Sequence, residues 1–265
     1  MKIKEITQAI ESFAPLAFQE DYDNAGLLLG NYDSEARAAL LCIDVTETVI
    51  DEAIAKNCNL IIAHHPLIFK GLKSIIGKNE VERCVLKALK NDIAVYAAHT
   101  NLDNVEKGVS FKMAEKIGLH NLRILQPQQV DFYASDFPKA GAGVVGELET
   151  EIDELAFLQQ LKIVFGTPCI KHSPLLGRKI KRVALCGGAG SFLIGEAKKA
   201  NADVFVTGDV KYHDFFLAEN HLFIADIGHF ESEQYTKEIF FEIIRKKIPT
   251  FAVHFSETEN RVHYF

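Results

Sequence analysis

A repeat within the chain constrains its fold more than any other feature. Residues 39–53 (ALLCIDVTETVIDEA) lie over residues 183–197 (VALCGGAGSFLIGEA) at an offset of 144. Cys42 then falls on Cys186, Glu52-Ala53 on Glu196-Ala197, and His64-His65 on Gly208-Asp209. Further along, the offset shortens to 130, and His99-x-x-x-Asp103 falls on His229-x-x-x-Glu233. Each copy opens on a short apolar run and continues into a helical pattern. Chance similarity between two strand–helix units is the alternative reading. A true duplication predicts two related α/β lobes that face each other across a shared cleft, with residues from strand ends meeting there.

The rhythm of the rest of the chain agrees with that class. The N-terminal residues 1–16 break their apolar positions with charge every few residues, which predicts an amphipathic helix and not a signal peptide. Residues 38–43 read as a buried strand, and Thr46 is placed to cap the helix that follows. Residues 60–63 form the next strand and run into His64-His65-Pro66. A helix over 81–90 leads to a strand over 93–98, which ends at His99-Thr-Asn-Leu-Asp103. The second half repeats this with strands at 183–186, 204–206 and 223–227, then Gly228-His229-Phe-Glu-Ser-Glu233 and a helix through Lys246. A last strand is expected over 250–255. Strands separated by helices indicate largely parallel or mixed sheets. Residues 126–145 hold prolines, glutamines and glycines with weak periodicity and read as a linker. The expected organisation is a first lobe over 1–125, a linker over 126–145 and a second lobe over 146–265.

Composition excludes several functions. No apolar run reaches the length of a membrane span. The five cysteines are widely spaced with no Cys-x-x-Cys pair, which predicts reduced core thiols and a cytoplasmic protein. The net charge of −7 without a long basic run argues against bulk attraction to nucleic acid.

The residues suited to chemistry follow apolar strands, where ligands bind in parallel α/β sheets. Adjacent His64 and His65 can point in different directions as the chain leaves its strand. His229 and Glu233, four apart, share one face if helical. A carboxylate can bridge two ions through its two oxygens. Imidazole and carboxylate donors suit zinc, iron, manganese or nickel better than calcium, and no thiolate is implicated. A His-His pair alone is more often structural, and His-x-x-x-Glu alone is commonly a solvated helix face. Recurrence at four strand ends, three of them carrying His, favours a metal site.

Other candidates are weaker. Gly187-Gly-Ala-Gly-Ser191 could hold a phosphate at a helix start, yet it lacks the Gly-Lys-Ser/Thr ending of a P-loop and reads better as a tight turn. Asp209, Lys211 and His213 follow the strand that repeats the one before His64 and could line the same cleft. Asp23-Asn24-Ala25-Gly26 reads as a turn with no chemistry of its own.

Five segments together resemble the YbgI-like dinuclear metal-centre family, also called GTP cyclohydrolase I type 2 homologs. They are Asp23-Asn-Ala-Gly-Leu27, Ile61-Ile-Ala-His-His-Pro66, His99-Thr-Asn-Leu-Asp103, Val206-Thr-Gly-Asp209 and Gly228-His-Phe-Glu-Ser-Glu233. The resemblance covers nearly the whole chain. It implies that His64, His65, Asp103, His229 and Glu233 hold two divalent metal ions, with Glu233 bridging them. It implies too a homo-oligomer, a toroidal hexamer. Tyr22 stands where family members usually have Trp, residues 258–262 differ from the usual ending, and the domain that longer relatives insert near 126–145 is absent. None of these departures touches a metal ligand.

The function this implies is a metal-dependent hydrolase acting on a nucleotide or phosphorylated small molecule through a metal-bridging hydroxide. His99 is the catalytic candidate, as an orienting residue or proton shuttle, with a hydrogen-bonded strand-end histidine as the bland reading. The alternatives are a metal-binding scaffold or regulatory protein with little turnover, and a store that delivers metal to another enzyme.

Overall fold

The computed structural model describes residues 1–128, 139–258 and 260–265. The chain divides into two compact units, Met1–Leu102 with Thr236–Asn260, and Asp103–Tyr235 with Arg261–Phe265.

The first unit holds a five-stranded mixed sheet. Its strands are β1 (Gly26–Leu29), β2 (Ala38–Cys42), β3 (Leu60–Ala63), β4 (Ala94–Ala97) and β11 (Ala252–Phe255). They lie in the order β1-β4-β3-β2-β11, with β1 antiparallel and the others parallel. Every residue of β2, β3 and β4 is buried, as continuous apolar runs in a covered parallel sheet require. Leu40, Cys42, Ile61, Ala63 and Val95 pack on one face, where helices Glu47–Ala55 and Glu80–Lys90 cover them. The hydroxyl of Thr46 accepts from the N–H of Val49, so the expected cap forms. Helix Ile3–Glu11 is amphipathic as read, with Ile3, Ile6 and Ile10 buried. It packs against helix Thr236–Lys247.

The second unit holds a six-stranded mixed sheet. Its strands are β5 (His120–Pro127), β6 (Gly141–Asp153), β7 (Lys171–His172), β8 (Lys179–Ala189), β9 (Val204–Gly208) and β10 (Phe223–Asp226), in the order β5-β6-β8-β9-β10-β7. Successive residues alternate between two apolar layers. Val144, Leu185, Val206 and Ala225 face helices Val109–Ile117 and Glu154–Phe165. Val145, Ala184, Phe205 and Ile224 face helix Ile194–Lys199.

The repeat is visible in the topology. In one sheet β2, β3 and β4 are parallel, and β1 lies antiparallel outside β4. In the other β8, β9 and β10 are parallel, and β7 lies antiparallel outside β10. An offset of 144 carries residues 26–29 to 170–173, which include β7.

Two expectations fail. The chain does not divide at 125 and 146, because helix Thr236–Lys247 and β11 return to the first unit and β11 pairs with β2. Nor is the expected linker over 126–145 a linker in its described part. Its ends belong to β5 and β6, which pair antiparallel, while its residues 129–138 lie outside the described residues. Glycines there mark close backbone approach. A Cβ on Gly141 would stand 2.3 Å from the Gln126 carbonyl oxygen, and one on Gly143 3.1 Å from that of Leu185.

Four cysteines are buried and unpaired as expected, and Cys169 is exposed. No helix among the described residues is long and apolar enough to cross a membrane.

Candidate metal centre

In the first unit, three imidazoles gather where β3 and β4 end. His64 and His65 extend the pairing of β3 with β2 past the strand, since their N–H groups donate to the carbonyls of Cys42 and Ile43. Their side chains then part toward opposite neighbours of β3. His64 Nδ1 lies 3.0 Å from the Ala98 carbonyl beyond β4. His65 Nδ1 lies 2.8 Å from the Asp44 carboxylate beyond β2. The pair therefore diverges as the sequence suggested, with ring centres 4.9 Å apart. His99 completes the group, 5.4 Å from each of the other rings. Its Nδ1 lies 2.7 Å from Asp23.

These partners settle the chemistry of each ring. A carbonyl or carboxylate accepts, so Nδ1 carries the proton. In the neutral ring Nε2 then keeps the lone pair that binds metal.

Asp23 does more than shape the turn that its segment was expected to form, because its carboxylate holds the His99 ring. Its side chain is fully buried. It accepts from His99, from the hydroxyl and N–H of Thr100, and from the N–H of Asn24. Burial pushes its carboxyl up, but these bonds outweigh that and hold it well below the usual carboxylate range.

In the second unit, His229 and Glu233 begin and end a short helix, so the spacing of four puts them on one face. His229 Nδ1 lies 2.8 Å from Asp209, which follows β9. His229 Nε2 lies 3.2 Å from a Glu233 oxygen. Two donors about 2.0–2.1 Å from one tetrahedral ion would stand roughly 3.4 Å apart, so this spacing suits a shared ion. The strand exits carrying the pair are braced by Asp226, which accepts from the N–H groups of Val210 and Gly228.

The Gly187–Ser191 turn seats Glu233. A Cβ on Gly188 would stand 2.3 Å from Glu233 Oε1 and 3.4 Å from the His229 ring, and Gly188 has φ of +62°. Three of the turn's N–H groups are committed to hydroxyls: Gly187 to Ser110, Gly188 to Ser232 and Gly190 to Thr207. That favours the tight-turn reading over a phosphate loop. Asp103 ends the short helix Thr100–Asp103. Burial pushes the nearby Cys186 thiol up, and the Asp103 and Glu233 carboxylates add to the shift, so this cysteine stays a neutral thiol.

Each unit thus offers its own candidate metal donors: His64 and His65 in the first, and His229 with Glu233 in the second. Of the weaker candidates, Asp209 serves as the partner of His229. His213 instead packs its ring with Tyr212 and Phe216, and Lys211 is exposed. Asp23, Asp44 and Asp226 escape sequence reading in these roles. The one signal for Asp23 was its place in a segment of the family resemblance.

The sequence matches the family described as Duf34/NIF3 (NGG1p interacting factor 3) over residues 1–261. A relative from Clostridium perfringens (strain 13 / Type A), called GTP cyclohydrolase 1 type 2 homolog, is 36% identical over 236 residues, covering 88% of this chain and 87% of the relative. A solved hypothetical protein from Staphylococcus aureus superposes with a TM-score of 0.91 at 30% identity, over 100% of this chain and 99% of the other. Protein ybgI, of unknown function, matches with a TM-score of 0.83 over 99% of this chain and 100% of its own, and at 24% identity that likeness concerns the fold alone.

Proposed function

This chain belongs to the Duf34/NIF3 family, and on that premise we propose that it is a dinuclear metal-dependent hydrolase acting on a nucleotide or another phosphorylated small molecule. The observation that carries this reading is the common wiring of the histidines. His64, His65 and His229 each engage Nδ1 with a carbonyl or carboxylate, which leaves Nε2 as the donor. The proposed ligands are His64, His65, Asp103, His229 and Glu233, for two divalent ions drawn from zinc, iron, manganese and nickel, with Glu233 bridging. By family resemblance we further propose a cytoplasmic homo-oligomer, a toroidal hexamer, which light scattering at six times the chain mass would support.

When bound, two such ions supply Lewis acidity that acidifies water and stabilises developing negative charge. The chain's own residues hold the donors and move the proton. His99 lies outside the proposed ligand set. Asp23 fixes its Nδ1–H, so Nε2 is the atom that takes or gives a proton, and the ionised carboxylate stabilises the imidazolium that results.

Protein loaded with Zn²⁺, Mn²⁺ or Fe²⁺ and offered GTP and a panel of phosphoesters tests this. Turnover is expected to vanish in His64→Ala. In His99→Ala it is expected to fall about 10²-fold or more with bound metal unchanged. Bound metal with no turnover of any member of the panel would favour the metal-binding scaffold instead.

A further inference from the structure

Beside the imidazole group of the first unit stand two aromatic side chains that the fold does not bury. Tyr22 is 66% exposed and Phe69 45% exposed. Their ring centres are 6.4 Å apart with planes tilted by 60°. Phe69 also meets His99 nearly edge-on, with centres 6.2 Å apart and planes at 80°. The loops that carry them are tied together, since the Asn24 side-chain amide donates to the Ile68 carbonyl. Asp23, next to Tyr22, holds His99. The two rings therefore sit at a fixed place around the proton-transferring imidazole.

What sets these two rings apart is their place: they touch each other, and one of them meets the His99 imidazole. A flat π-face is the surface on which a heteroaromatic base stacks, and such stacking tolerates any base. Lys70 and Lys73 are exposed on the same loop as Phe69, and an ammonium is a natural partner for a phosphate.

We propose that Tyr22 and Phe69 form a stacking platform for the planar ring of the substrate, which is therefore a nucleobase-bearing phosphate and not a simple sugar phosphate. This rests on the metal-hydrolase reading above and names its substrate class. The platform binds the ring; it does not hold metal.

The test is equilibrium binding of GMP, AMP and UMP, each against ribose 5-phosphate, to metal-loaded protein by calorimetry, with bound metal measured in the same samples. The nucleotides are expected to bind about tenfold tighter than ribose 5-phosphate. Phe69→Ala and Tyr22→Ala should each remove most of that preference with bound metal unchanged, and Phe69→Tyr should retain it. Wild-type protein that holds its metal but binds nucleotides no better than ribose 5-phosphate overturns the platform and leaves the metal site standing. The same holds if the Tyr22→Ala/Phe69→Ala double variant keeps the preference. Absence of bound metal with the base preference intact would instead sink the metal reading and keep the platform.

Discussion

Glu233→Gln protein is expected to bind roughly one metal ion per chain or none, where the wild type binds about two. The change removes one charge and leaves the shape nearly the same. Glu233 is buried, with one oxygen 3.2 Å from His229 Nε2 and the other against Gly188. An amide nitrogen on either side cannot donate a lone pair to a cation, and a bridging ligand needs both oxygens. Metal analysis after dialysis reads the loss, and circular dichroism confirms that the fold persists. Wild-type metal content in this variant would remove Glu233 from the ligand set.

The second large effect is expected from a residue with no donor atom. Gly188→Ala places a Cβ 2.3 Å from Glu233 Oε1, in a turn whose φ of +62° already disfavours any residue but glycine. The backbone strain alone costs about 1–2 kcal/mol. The carboxylate has to move as well, so metal affinity should fall as severely as in Glu233→Gln. Gly190→Ala is the matched control. Its Cβ would crowd Cys186 and Thr207, each at 2.6 Å, and not Glu233. It should destabilise the protein, measured by urea unfolding, while metal content stays near the wild-type level. Equal metal loss in both variants would mean that general loosening of the turn, not displacement of Glu233, is responsible.

The parts of the fold that the sequence discloses are those that local pattern determines. Apolar runs such as Leu60–Ala63 read as strands because a parallel sheet covered on both faces needs uninterrupted apolar side chains. The ends of these runs were therefore legible, and with them His64, His65, His99 and His229. Thr46 was legible as a cap because its chemistry is local. The repeat matched the runs that become β2 and β8, while the antiparallel outer strands β1 and β7 were not read from sequence.

What stayed hidden depends on pairing at long range. Asp23 and His99 are far apart in sequence, and no local rule brings a turn aspartate to a distant imidazole. Asp44 and Asp209 each reach the histidine at the end of the next strand, His65 in one sheet and His229 in the other. That regularity appears only once strand order is known. The boundary between units was misread for the same reason. An amphipathic pattern says that helix Thr236–Lys247 buries one face, but not that it does so in the unit the chain left at Leu102. Glycines near 141–146 misled in another way. They broke the apolar alternation that marks a strand, although they are there because neighbouring backbone leaves no room for a side chain.

Elemental analysis of the protein as purified, without added metal, is the most direct test that these histidines and carboxylates hold a dinuclear centre. About two transition-metal ions per chain is the expected result, falling to none in a His64→Ala/Glu233→Gln double variant that remains folded. A wild-type protein that is metal-free as purified, and that takes up no more ions than the double variant when offered Zn²⁺, Mn²⁺, Fe²⁺ or Ni²⁺, would contradict it.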